Sequence, residues 1–164
     1  MRLTSIFLIA ALAVSACGQS KFKRYRGPQV TQILIDKSER KMHLLHRNKA
    51  LKSYDVDLGF TPVGHKTIEG DGRTPEGVYR INRRNPNSSF HLSLGISYPN
   101  NQDRAKAKAL GKSPGGEIFI HGGPRLRINR GKKDWTAGCI SVSNKEIEVI
   151  YAMVQDGTPI YIKP

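Results

Sequence analysis

Alternation of apolar and polar residues with a period of two is the feature that most narrows what this chain can fold into. In 30–36, Ile33 and Ile35 alternate with Gln32 and Leu34. That period places one set on a single face of a strand and scatters it around a helix. Lys37, Ser38, Glu39 and Arg40 then form a polar turn, and 41–46 reads as a returning strand. Segment 51–58 gives a third strand with Tyr54, Val56 and Leu58 on one face, which makes an antiparallel meander. Segment 59–77, dominated by Gly, Pro and Thr, is a structured loop, because strand character resumes at once in 78–81. Further strands are expected at 90–96, 117–121 and 159–162. Asn100 caps a helix over 101–110 with Gly111 just beyond it. Ser143 and Glu146 form a capping box ahead of Ile147, Ile150, Tyr151 and Val154 at helical spacing. The expectation is a mainly β, α+β domain with one or two short helices.

The first residues stand apart from that pattern. Arg2 precedes an apolar run over 3–14, and small residues lead up to Cys17. Such a run is too short for a permanent membrane helix and reads as a signal peptide over 1–16. Val14-Ser15-Ala16-Cys17 also resembles a lipobox, whose cysteine would carry lipid; Gly18 after it points to the outer membrane. Residues 17–29 form a basic tether and 30–164 the domain. Export is expected, to the periplasm or envelope. Removing the leader takes only Arg2 from the formal charge of +14. In an exported protein that charge suits anionic wall peptides and lipids better than nucleic acid, for which no aromatic stacking platform is present.

Two cysteines occur, Cys17 and Cys139. A lipidated Cys17 leaves Cys139 as a lone thiol in an oxidising compartment, which marks it as reactive or intermolecular. His121 stands at the end of the apolar run Ile118-Phe119-Ile120, and Cys139 follows after a polar and basic loop. An imidazole beside a thiol lowers its pKa or takes its proton as attack begins. Cys139 is therefore expected to alkylate rapidly at neutral pH. Backbone N–H groups of Gly138 and Cys139 are candidates for an oxyanion hole. His43 and His46 lie three apart in a strand and point to opposite faces, and no cluster has zinc-ligand spacing. No metal or cofactor is expected. Trp135 is expected to pack the loop, and Arg125, Arg127, Arg130, Lys132 and Lys133 are expected to form a basic lid between His121 and Cys139.

Several segments in order, ILIDKSERKMHLL, GDGRTPEGVYRI, FHLSLGISYPN, IFIHGG and TAGCISVSN, resemble the L,D-transpeptidase catalytic domain, also called YkuD, and in particular its small single-domain envelope members. The resemblance implies a YkuD-like β-sandwich acting on peptidoglycan stem peptides through a cysteine thioester, in wall crosslinking or remodelling. It implies Cys139 as nucleophile, His121 as general base and acid, and the Gly122 carbonyl as the group orienting His121. Thr136 takes the place of the family's Ser/Thr, orienting the loop or the substrate. Many members carry Arg two places after the cysteine, where this chain has Ser141; Arg73 or Arg125 is expected to supply that cation, and His91 to line the cleft. Transfer to an amine and hydrolysis both remain open, since they share one acyl-enzyme. A non-catalytic envelope-binding module is the rival from another class, and a monomer is expected.

Overall fold

The computed structural model describes residues 20–124 and 127–164, with the side chain of Arg127 left aside. The leader, Cys17 and Arg125 lie outside the described residues.

Among the described residues, eight strands and two α-helices make up the domain. They are β1 (Gln32–Asp36), β2 (Lys41–His46), β3 (Lys49–Asp55), β4 (Gly77–Asn85), β5 (Ser93–Ile96), α1 (Asn101–Ala109), β6 (Phe119–His121), β7 (Ile140–Ser141), α2 (Asn144–Met153) and β8 (Pro159–Lys163). The strand order is β3-β2-β1-β8-β4-β5-β6-β7. The alternation that identifies β1 is the one observed: Ile33 and Ile35 are fully buried, as are Met42 and Leu44 on β2 and Ile160 and Ile162 on β8. β3 is an edge whose exposed lysines, Lys49 and Lys52, discourage pairing with another chain.

β4 carries the sheet around a corner. Its first half pairs with β8 and its second half with β5, with a register irregularity between Ile81 and Arg83. Irregularities of this kind bend a strand and increase its twist. Beyond β3 the chain stays extended with Val56 and Leu58 buried, and meets the far end of the sheet through bridges Asp57–Ser141 and Gly59–Thr136. The sheet thus curls until the chain leaving its first strand runs beside its last. The strand expected over 51–58 is split by this change of partner: 55 ends the pairing with β2, and 56–59 pair with the β7 side. The strand expected over 90–96 begins only at Ser93, because His91 has φ +73°, outside the extended region.

Both helices start where side-chain caps demand. Asn100 and Asp103 form a reciprocal capping box on α1, and Ser143 and Glu146 do so on α2. Ile147, Ile150 and Met153 bury one face of α2 against the β5–β6 region. Asp103 is itself buried; its carboxylate also accepts from the Tyr79 hydroxyl at 3.0 Å and lies 3.1 Å from His65 Nε2.

The loop between β3 and β4 is held from beneath by a buried lysine. Lys37 Nζ donates to the carbonyl oxygens of Gly64 (2.6 Å) and Thr74 (3.1 Å) and to Glu76 Oε1 (2.6 Å). All three ammonium donors are used, as a buried charge requires. Lys37→Met leaves the Glu76 carboxylate and two carbonyls without their donor. It should lower unfolding stability by about 2–4 kcal/mol, with part of the loss restored by adding Glu76→Gln. Urea unfolding of the wild type and the two variants checks this; a single-mutant change below about 0.5 kcal/mol contradicts it.

Candidate active site

β6 ends in His121 because the chain must leave the sheet there. A Cβ on Gly122 would stand 2.6 Å from Asn144 Oδ1 and 3.0 Å from both Ile147 Cγ2 and the Phe90 carbonyl oxygen, so only glycine fits between the strand and α2. Its own carbonyl is thereby held 2.7 Å from His121 Nδ1. A carbonyl only accepts, so Nδ1 carries the proton and Nε2 presents its lone pair. Phe90 stacks on the imidazole with ring centroids 4.4 Å apart, and Trp135 meets it edge-on at 5.7 Å. His121 is buried, and its pKa is lowered because burial disfavours the charged ring; the Gly122 bond opposes that shift in part.

Cys139 reaches the same cleft through sheet register. β6 and β7 run parallel with Ile120 opposite Ile140 and His121 opposite Ser141. Phe119, His121 and the facing Ser93 of β5 share one side of the sheet, and with Cys139 they line an open cleft of about 300 Å³. Cys139 is a free, half-buried thiol. It donates to the Glu117 carbonyl with Sγ 3.5 Å from the oxygen. Burial pushes its pKa up; the Phe119 N–H, donated to sulfur, pulls it down, and the Glu117 carboxylate adds to the rise. Both shifts favour neutral groups, a thiol and an imidazole that line one cleft, over a thiolate and an imidazolium. These directions run against the expectation of rapid alkylation at neutral pH.

The segment before the cysteine is fastened at several points. Thr136 Oγ1 accepts from Gly138 N–H (3.1 Å) and donates to the Cys139 carbonyl (2.7 Å). Gly138 has φ +132°, and a Cβ there would come within 2.6 Å of the Arg73 carbonyl oxygen, which makes glycine obligatory. Asp57 accepts from Asp134 N–H and Trp135 Nε1. Asp134 in turn accepts from Leu58 N–H (3.0 Å) and from Arg40 Nε and Nη2 (3.0 and 2.7 Å).

Several residues singled out from the sequence do other work. Gly138 N–H is already bonded to Thr136, so of the two oxyanion candidates only Cys139 N–H is without a hydrogen-bond acceptor among the described residues. The Thr136 hydroxyl is spent inside the loop, the first of the two roles expected of it. His91 pairs with Glu148 at 2.8 Å and lines a neighbouring depression with Arg130 and Asn144, not the Cys139 cleft. Arg73 backs Gly138 with its carbonyl, while its buried Nε has no hydrogen-bond partner. Ser141 is buried and faces a second cavity of about 360 Å³ together with Arg40, Asp57 and Lys133. His43 and His46 bond the Ser53 hydroxyl and the Gln29 carbonyl separately. Asp57, Asp134, Phe90 and Glu117 escaped sequence reasoning. Of these only Asp134, next to Trp135 and just before the Thr-x-Gly-Cys run, carried a local signal.

Comparison with known proteins agrees with this geometry. The model of the L,D-transpeptidase catalytic domain, YkuD, matches residues 30–162. YafK of Escherichia coli (strain K12) is 28% identical over 128 residues, 74% of this chain and 46% of its own length. Among solved structures, the helical cell shape determining protein Pgp2 of Campylobacter jejuni superposes with a TM-score of 0.62 at 25% identity, over 90% of this chain and 53% of that one. Bd1075 of Bdellovibrio bacteriovorus gives 0.56 at 29%, over 82% and 48%. The chain spans about half the length of these relatives.

A neutral resting pair has a consequence for pH. The rate of Cys139 alkylation by iodoacetamide should still be climbing with pH above neutrality, as thiolate forms later than in an ordinary free cysteine. Below neutrality the rate should fall about tenfold for each pH unit, in step with the thiolate fraction. A rate already flat at pH 6–7 means a resting ion pair and sinks this account.

Proposed function

Because the chain belongs to the L,D-transpeptidase catalytic-domain family, we propose that it acts on peptidoglycan stem peptides through a thioester on Cys139. The observation that carries the proposal is the His121 Nδ1–Gly122 bond, which leaves Nε2 as an acceptor in the cleft that holds the free thiol. The Cys139 sulfur attacks a peptide carbonyl as His121 Nε2 takes the thiol proton, so a neutral pair needs no ion separation before substrate binds. Negative charge then develops on the carbonyl oxygen, and Cys139 N–H is the donor available to it. Collapse of this intermediate breaks the C–N bond, and His121 returns the proton to the leaving amine. The thioester is then opened by an amine of a second stem peptide, which forms a crosslink, or by water, which shortens the peptide.

Phe90 and Trp135 hold the imidazole plane and Thr136 holds the cysteine loop, so the reacting groups are ordered before substrate arrives. The apolar leader and Cys17 support placement of this activity in the cell envelope, on a lipid anchor where Cys17 is modified. The formal charge of +14 favours approach to an anionic wall.

Purified protein incubated with defined stem peptides should show an acyl adduct on Cys139 by intact mass. Cys139→Ala should abolish both adduct and product, and His121→Ala should slow turnover by about a hundredfold or more. Crosslinked products assign transfer, and shortened peptides alone assign hydrolysis. A Cys139→Ala variant that retains the wild-type effect on peptide, or only salt-sensitive wall binding without any adduct, would support a binding module instead.

A further inference from the structure

The charged residue that lines the cleft has the opposite sign to the molecule around it. The chain carries a formal +14, yet Glu117 is the only formally charged side chain among the described residues lining the Cys139 cleft, His121 being kept neutral by burial. Its placement is not incidental to the backbone. Glu117 sits at φ +55°, a conformation that costs a non-glycine residue of order 1 kcal/mol or more, directly after Gly115 and Gly116. A third glycine would occupy the position more cheaply. The same turn aims the Glu117 carbonyl at the Cys139 sulfur.

The fold does not need the Glu117 carboxylate. Glu117 is 78% exposed, and its partner Arg83, which reaches both carboxylate oxygens at 2.9 and 3.1 Å, is 53% exposed. Ion pairs that open to solvent contribute little to stability. Arg83 is steadied independently, with its guanidinium 4.8 Å from the centre of the Phe119 ring, another wall of the cleft. The guanidinium can therefore stay in place while the carboxylate turns to a new cation.

We propose that Glu117 is a specificity-determining residue that binds an ammonium group of the peptide entering the cleft beside Cys139. The proposal rests on the function proposed above and deepens it by giving the charge of the group next to the reacting carbonyl. Two sources of that ammonium share one chemistry, the peptide that donates the acyl group and the amine that accepts it. Binding also acts on the nucleophile. The Glu117 carboxylate, paired with Arg83, still disfavours a thiolate nearby, and an added ammonium seated on Glu117 offsets that charge, so the sulfur becomes easier to ionise once the right peptide is bound.

Two measurements test this on the intact protein. The first needs no peptide: Cys139 is modified with a cationic aminoethyl methanethiosulfonate and with the anionic sulfonatoethyl reagent. The field of the whole protein favours the anion, whereas Glu117 favours the cation. The wild type should react faster with the cation, by about tenfold at low salt. Glu117→Gln should lose or invert that preference, and Arg83→Met should enlarge it by freeing the carboxylate. An anion preference in the wild type, or a ratio unmoved by Glu117→Gln, overturns the proposal. The second compares stem peptides with free and acetylated side-chain amines. Loss of the free-amine preference in Glu117→Gln during acylation without acceptor assigns the donor; loss only in transfer assigns the acceptor. Equal use of both peptides by wild type at both steps, with Cys139→Ala inactive, removes the role of Glu117 and leaves the thioester function intact. No adduct from any stem peptide removes the function and this inference together.

Discussion

A parallel pairing only two residues long, β6 against β7, is the contact on which the rest of the site depends. It places Cys139 and His121 on one face of the sheet although a long loop separates them in sequence. Two residues of ladder cannot hold such a loop by themselves. The structure surrounds the pairing with fixed points instead: the Thr136 hydroxyl ties Gly138 N–H to the Cys139 carbonyl, Asp57 bridges Ser141 from the other edge, and Asp134 links the loop to Arg40 and Leu58. Each is a short-range bond to backbone or to a partly buried charge, the kind of interaction that retains strength where water is scarce.

The curl of the sheet serves the same end. An open eight-stranded sheet would leave β7 as a two-residue edge strand, too short to keep its place. Turning the sheet at Ile81–Arg83 brings 56–59 up to β7 and removes that edge. The buried ammonium of Lys37 then fastens the long loop that follows, and that loop supplies the Arg73 carbonyl against Gly138. A charge sealed on the far side of the meander is thus connected, through packed backbone, to the turn that carries the thiol.

The electrostatics of the cleft run against the chain's composition. A strongly basic protein holds its nucleophile between a neutral imidazole, aromatic rings and a carboxylate, and keeps most of its lysines and arginines elsewhere on the surface. Neutral resting partners avoid the cost of an ion pair in a partly dry site. They also give the arriving peptide a role in ionising the sulfur.

Much of this was legible in the residues. Period-two alternation identified β1 and β2, both capping boxes marked their helices, and the motifs around His121 and Cys139 carried the glycines that flank them. These are local signals, because strand pleat, helix caps and glycine conformations depend on neighbours within a few positions. The tertiary structure alone decided which hydroxyls and N–H groups were already taken. It bonded Gly138 N–H and Thr136 within the loop, drew His91 to Glu148, turned Ser141 to another cavity, and brought Asp57 and Asp134 from far apart onto one segment. A side chain's partners are set by where the curled sheet brings distant segments together, and no local pattern in a chain records that distance.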